Sequence, residues 1–173
     1  MASFEAVILV GHGGIASDTP PELIAELKQL EGMRRRTAEP RPGAREAELD
    51  RRIREWPRTA ATDPYKAGLE AVAAKLRGRL GGRRLEIAYN EFCAPSLRTA
   101  IEHLVADGAT RITVMTTMFT PGGSHSELEM PAEIEHIRRD HPGVPIEYAW
   151  PYRLDTIADF LLAHLDASSR AVR

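Results

Sequence analysis

Residues 6–14 read AVILVGHGG, an apolar run that ends in a glycine-rich turn carrying His12. Apolar residues without polar alternation are typical of a strand that helices cover on both faces. Two later apolar runs end in the same way, in loops that carry Glu91 and His125. The loops at the carboxyl ends of parallel strands emerge along one edge of a sheet, where ligands bind. We therefore expect His12, Glu91 and His125 to meet at that edge.

The rest of the chain alternates between strand and helix patterns. Strands are predicted over 6–10, 85–89, 112–119 and 146–149, and helices over 64–80, 97–105, 126–139 and 154–165. This alternation indicates right-handed βαβ units. The predicted fold class is α/β, an open and mostly parallel four-stranded sheet flanked by helices, with the first strand central as in flavodoxin-like order.

Residues 15–62 interrupt the alternation and are predicted to be a helical insertion in a single domain that spans 1–173. The segment contains patterns for two short helices, over 21–31 and 45–56. Because it follows the loop that carries His12, it must begin beside the predicted site. Two interpretations stay open, a lid or binding loop and a helical pair packed on the flank.

Composition excludes several classes of protein. The 173 residues carry a net charge of -2, whereas proteins that bind nucleic-acid phosphates are commonly strongly basic. No apolar segment approaches the roughly 20 residues needed to span a bilayer, and no signal peptide is recognisable. Cys93 is the single cysteine, which excludes an internal disulfide and a thiolate cluster. We expect a cytoplasmic protein without nucleic-acid or membrane partners.

Two imidazoles and one carboxylate are ligands that suit divalent iron, cobalt, nickel or zinc. His12 lies between glycines, which lets the chain turn sharply and lets a bulky ligand approach the backbone. The alternative for each histidine is a structural hydrogen bond in a tight turn, and for Glu91 it is a solvated loop carboxylate. Ser126 and Glu129 have the spacing of a capping box, and Glu127 is interpreted as a first-turn acid, so neither glutamate is predicted to bind metal.

Three motifs carry a family resemblance. They are VILVGHG at 7–13, EFCAPSL at 91–97 and FTPGGSH at 119–125, followed by EMP at 129–131 and by HPGV and AWPY near the end of the chain. In this order they resemble the short class II chelatases of the CbiX type, the sirohydrochlorin cobalt, nickel or iron chelatases. The resemblance covers about 120 residues, everything except the predicted insertion.

The resemblance implies a metal chelatase (a lyase) that inserts Co, Ni or Fe into a sirohydrochlorin-like tetrapyrrole during cobalamin, siroheme or related cofactor biosynthesis. His12, Glu91 and His125 would be the catalytic and metal-binding residues. The metal would be a substrate, no organic cofactor is expected, and the short family members imply a homodimer. Residues expected to contact the tetrapyrrole are Gly13, Gly14, Tyr89, Gly122, Gly123 and Trp150.

Other functions remain open at this point. The same three ligands would serve a non-catalytic metal-binding protein, either a chaperone or a sensor, and the glycine-rich turn would also suit a phosphate-binding module. The chain departs from the family pattern after Gly14, where Ile15 and the long segment follow. A different tetrapyrrole, or a partner protein bound to residues 15–62, is therefore a further alternative.

Overall fold

A four-stranded parallel sheet with the order β2-β1-β3-β4 forms the centre of the computed structural model, which describes residues 3–39 and 41–171. The strands are β1 (Phe4–Gly11), β2 (Arg84–Tyr89), β3 (Ala109–Thr116) and β4 (Ile146–Tyr148). The helices are α1 (Pro21–Thr37), α2 (Ala44–Arg54), α3 (Pro64–Arg77), α4 (Leu97–Ala106), α5 (Met130–Asp140) and α6 (Leu154–Ala171). A π-helical turn, His125–Glu129, leads directly into α5. The predicted α/β class and the central position of β1 are confirmed.

The two faces of the sheet are covered unequally. Alternate residues of β1 point into two apolar clusters, with Ile8 among side chains of α4 and α5 and Leu9 among side chains of α3. The helix α6, in contrast, leaves much of its apolar surface open, since Phe160 is 61% exposed and Leu165 is 61% exposed. The core therefore lies mainly between the sheet and helices α3, α4 and α5.

Local hydrogen bonds explain where several elements begin and end. The side chain of Asp63 accepts from the backbone N–H of Lys66 at 2.9 Å, which confirms the predicted N-cap of α3. The predicted end of β3 is wrong, because the strand ends at Thr116 rather than near 119. The Thr116 hydroxyl donates to the Val10 carbonyl at 3.1 Å and accepts from the Met118 N–H at 3.1 Å, which turns the chain away from the sheet.

Residues 15–62 form a helical pair with a small core of its own. Leu27 of α1 and Leu49 and Ile53 of α2 are almost fully buried against one another. The helix α1 continues past its predicted end to Thr37, where Arg34 pairs with Glu46 of α2 at 2.8 Å. The single-domain boundary and the status of this segment as an insertion stay predictions.

None of the helices within the described residues combines the length and the apolar character needed to cross a lipid bilayer.

Candidate metal centre

Three loops at the carboxyl edge of the sheet bring the predicted ligands together. One ligand atom from each of His12, Glu91 and His125 lies within 4.8 Å of the other two. His12 Nε2 is 3.7 Å from Glu91 Oε2, and the two imidazole rings meet edge to face with their centroids 5.0 Å apart. The cause is the strand order, because β1 lies between β2 and β3. The convergence expected from the sequence is therefore present, while the metal-binding role of these residues stays a prediction.

The hydrogen bond of the His12 ring determines which nitrogen is free. Nδ1 lies 2.8 Å from the carbonyl oxygen of Gly13. Because a carbonyl oxygen only accepts, Nδ1 carries the proton of the neutral ring. The lone pair is then on Nε2, which faces Glu91, and this is the atom that a cation would meet.

Gly13 lets the loop that carries His12 and the loop that carries Glu91 lie in contact. Its φ is +93°, and a Cβ at this position would lie 1.9 Å from the carbonyl oxygen of Glu91. The backbone N–H of Glu91 also donates to the His12 carbonyl at 2.8 Å. This contact requires glycine at position 13, and the expected contact of Gly13 with a ligand stays a prediction. At Gly14 a side chain would fit, since a Cβ there would lie 3.7 Å from its nearest neighbours.

His125 opens the π-helical turn and has two partners on the same nitrogen. Its Nδ1 lies 2.9 Å from Glu129 Oε2 and 3.0 Å from the Asn90 amide nitrogen. The two contacts need opposite states of Nδ1, since the Glu129 carboxylate accepts and the Asn90 amide nitrogen donates. When Nδ1 carries the proton it donates to Glu129, and the lone pair on Nε2 is free for a cation, an arrangement common around metal-binding histidines. Such π-helical turns are frequent at functional sites.

The predicted capping box is wrong. The Ser126 hydroxyl is buried and donates to the Met118 carbonyl at 2.8 Å, and Glu129 turns back to His125 rather than to a backbone N–H at the helix start. Asn90 and Glu129 are therefore site residues that the sequence interpretation missed. Asn90 had one usable signal, a polar side chain directly after a buried strand. Glu129 had none, because its spacing also fits a cap.

Two cavities meet at the three ligands. The smaller, of about 310 Å³, is lined by His12 and His125 and by loop residues that include Phe119 and Gly123. The larger, of about 740 Å³, lies on the side of the helical pair and is lined by Glu91 and Glu129. The three converging side chains thus line both a mainly neutral space and a charged one.

The larger cavity contains more carboxylates than guanidinium groups. The carboxylates are Glu31, Glu46, Asp50, Glu91, Glu129 and Glu133, and the guanidinium groups are those of Arg34, Arg35 and Arg54. Burial raises the pKa of Glu133, although Arg54 and Arg98 oppose this, and burial also raises the pKa of Glu31, with added repulsion from Glu91. This excess of carboxylates attracts cations toward the ligands.

The remaining residues predicted to contact the tetrapyrrole differ in whether they line one of the two cavities. Tyr89 is 2% exposed among core side chains and therefore does not line either cavity. Trp150 stacks on Tyr148 with centroids 6.2 Å apart and does not line either of these two cavities. Gly122, with φ +87°, donates its N–H to Glu127 at 2.9 Å and shapes the turn. Among the predicted glycines, Gly123 lines the smaller cavity.

Comparison with known proteins identifies the family. The sequence model of the CbiX family matches residues 60–158, more than half of the chain. The chain belongs to the CbiX family. The match begins after most of the helical pair, so it includes Glu91 and His125 and leaves His12 outside.

This CbiX family member is similar to a curated protein, the sirohydrochlorin ferrochelatase of Priestia megaterium. The two are 25% identical over 85 residues, which is 49% of this chain and 32% of the ferrochelatase. The chain therefore spans about a third of the relative's length.

Two solved structures are similar to this chain. A cobalamin (vitamin B12) biosynthesis CbiX protein from Marinobacter aquaeolei VT8 superposes with a TM-score of 0.57 at 19% identity, with 97% of each chain covered. The sirohydrochlorin chelatase SirB from Bacillus subtilis subspecies spizizenii, in complex with cobalt, matches with a TM-score of 0.48 at 20% identity, over 86% of this chain and 43% of SirB. The first of these supports the α/β chelatase fold.

Proposed function

We propose that this CbiX family member is a metal chelatase that inserts a divalent ion, Co, Ni or Fe, into a sirohydrochlorin-like tetrapyrrole in cofactor biosynthesis. The observation that carries the proposal is the convergence of His12, Glu91 and His125 to within 4.8 Å beside two cavities. Two imidazoles and one carboxylate are ligands for these ions. Three ligands also leave coordination positions free for the nitrogens of a macrocycle.

Metal insertion makes two demands that these residues meet. The ion must lose water, and the lone pair of His12 Nε2 and the carboxylate of Glu91 replace part of its hydration. Two pyrrole N–H protons must leave the macrocycle, and the imidazole and carboxylate side chains at the same place are the bases available to accept them. The charged cavity favours entry of the ion, while the neutral cavity beside Phe119 favours contact with the ring.

The alternatives differ from this proposal in chemistry. A phosphate-binding turn is disfavoured because the carbonyl of Glu91 occupies the space beside Gly13. A metal chaperone or sensor would use the same ligands and would bind the ion without reacting with a tetrapyrrole. Turnover therefore separates this alternative from the chelatase.

An absorbance assay with sirohydrochlorin and Co²⁺ tests the proposal. We expect His12→Ala and His125→Ala each to lower the insertion rate by at least about a hundredfold, since each removes a direct ligand. His103→Ala on α4, where the ring is exposed and away from the site, is the control and should react at the wild-type rate. Wild-type rates in both site variants would refute the proposal, and Co²⁺ binding without insertion would favour the chaperone.

We also propose that the protein is a homodimer. Exposed apolar side chains of α6, including Phe160, border an apolar cavity of about 500 Å³ that α3 shares. A second copy would remove this surface from water. We expect Phe160→Glu to give a monomer in sedimentation velocity, while Asp159→Asn leaves the assembly unchanged. A monomeric wild-type protein would refute this part of the proposal.

A further inference from the structure

Arg54, the last residue of α2, binds the loop that carries Glu91 (residues 90–94, the Glu91 loop). Its guanidinium donates to the carbonyl oxygens of Asn90 at 3.0 Å and Cys93 at 3.2 Å, and it pairs with Asp50 at 2.7 Å. The backbone carbonyl of Arg54 accepts from the Ala94 N–H at 3.2 Å. The planar fork of an arginine can serve several acceptors at once in a fixed geometry, which a lysine cannot.

Arg58 connects the Glu91 loop to the loop that carries His12 (residues 12–14, the His12 loop). Its guanidinium donates to the Gly14 carbonyl at 2.7 Å and to the Phe92 carbonyl, and it pairs with Asp63. Both charged side chains are buried, Arg58 at 5% exposure and Asp63 at 2%. A single buried cation thus bonds to both loops at once.

Phe92 shows that the Glu91 loop needs support from outside itself. Its φ of +56° lies in the left-handed region, which is unfavourable for a residue with a Cβ. Its side chain packs against the small core of the helical pair. Such a conformation persists only where surrounding contacts favour it.

We propose that Arg54 and Arg58 are positioning residues that keep the carboxylate of Glu91 beside His12. This inference rests on the proposed function, because it gives the helical pair the task of placing a metal ligand. The Glu91 loop is bonded on one side to the sheet edge, where Asn90 donates to Gly11 at 2.9 Å, and on the other side to these two arginines. Neither arginine contacts the reacting atoms in this role, so each acts through Glu91.

A double-mutant cycle with Co²⁺ as the probe tests the proposal. We expect Arg54→Met to weaken Co²⁺ binding about tenfold, in line with the loss of charged hydrogen bonds. Arg54→Lys should bind Co²⁺ as weakly as Arg54→Met, because a lysine keeps the charge and lacks the fork. In a Glu91→Ala background, Arg54→Met should have no further effect, since the arginine acts through the missing carboxylate.

Arg51→Met is the matched control. It lies on the same helix, loses ion pairs with Glu48 and Glu55, and does not touch the Glu91 loop. We expect it to bind Co²⁺ as the wild type does. Binding at wild-type strength by Arg54→Met, or a full additional tenfold loss in the Glu91→Ala background, would overturn the proposal.

Amide hydrogen exchange at residues 90–94 gives a readout that needs no metal. We expect exchange about tenfold faster in Arg54→Met and unchanged in Arg51→Met. Exchange at the wild-type rate in Arg54→Met would overturn the proposal even if Co²⁺ binding fell. If the wild-type protein bound no Co²⁺, the proposed function would fail, and the exchange rates would still decide whether Arg54 holds the loop.

Discussion

The Glu91 loop and the segment that carries His125 (residues 117–129, the His125 segment) reach the same site by different means. The Glu91 loop depends on side chains more than thirty positions earlier in the chain, those of Arg54 and Arg58. The His125 segment is bonded largely to itself, through Ser126 to Met118 and Glu129 to His125. A side chain at this edge can therefore be placed by local hydrogen bonds or by a separate structural unit, and the two cases fail under different substitutions.

The largest effect is expected at Gly13, where the His12 loop touches the Glu91 loop. Gly13→Ala puts a Cβ 1.9 Å from the Glu91 carbonyl oxygen at a φ of +93°. We expect the free energy of unfolding to fall by about 3 kcal/mol or more. Chemical denaturation measures this change. Gly14→Ala is the control, with an expected change below about 1 kcal/mol, and equal losses in the two variants would contradict the contact between the loops.

A second substitution tests the local bonds of the His125 segment. Glu129→Ala removes the carboxylate that accepts from His125 Nδ1, so we expect Co²⁺ affinity to fall by about ten- to a hundredfold. Isothermal titration calorimetry measures the affinity. Glu127→Ala is the matched control, because Glu127 accepts from the Gly122 N–H and not from His125, and it should leave the affinity within about twofold. Equal affinities for both variants would show that Glu129 does not orient His125.

Tyr148, the last residue of β4, joins the His125 segment to that strand through a hydrogen bond. Its hydroxyl donates to the Ser126 carbonyl at 3.1 Å, and burial raises the pKa of Tyr148 to about 12, so the donor keeps its proton in neutral solution. We expect Tyr148→Phe to lower the free energy of unfolding by about 1 kcal/mol and to speed amide exchange at 125–130.

Tyr152→Phe is the control for that experiment. It also loses a hydrogen bond, from Tyr152 to the Thr116 carbonyl at 2.6 Å, and this bond lies outside the His125 segment. We expect a similar loss of stability without faster exchange at 125–130. Faster exchange in both variants would mean that the segment responds to general destabilisation.

The smallest effect concerns Glu133, which lies between the two regions on the wall of the larger cavity. Because burial raises the pKa of this carboxyl, the folded protein binds its proton more tightly than the unfolded chain. The resulting contribution to stability falls as pH rises from the unfolded value, about 4.3, through the raised folded value. Glu133→Gln should therefore unfold at higher denaturant concentration than the wild type at pH 7, with the difference vanishing near pH 4.

Glu135→Gln, on the exposed side of α5, is the control for the pH series. It should not show a stability gain that grows with pH. A constant difference between Glu133→Gln and the wild type at every pH would contradict the proposed cause.

The spacing of apolar residues along the sequence predicted most of the sheet. A strand with a continuous apolar run is removed from water only when helices cover both faces of the sheet. The runs at 6–10 and 85–89 therefore predict buried parallel strands. The strand ends then follow, and with them the places of His12, Glu91 and His125. The end of β3 was predicted less well. The Met118 N–H donates to the Thr116 hydroxyl instead of continuing the strand, and the spacing of apolar residues does not reveal such a bond.

By itself the sequence determined the α/β class, the central first strand and the edge of the sheet at which the ligands emerge, because these depend on local periodicity. Only the tertiary structure decided which neighbours surround the ligands. Glu129 could equally have capped a helix, and Tyr89 could have faced the site rather than the core. Arg54 and Arg58 belong to a different segment from the loop they bind, and contacts between distant segments depend on how the elements pack, which short-range patterns do not encode.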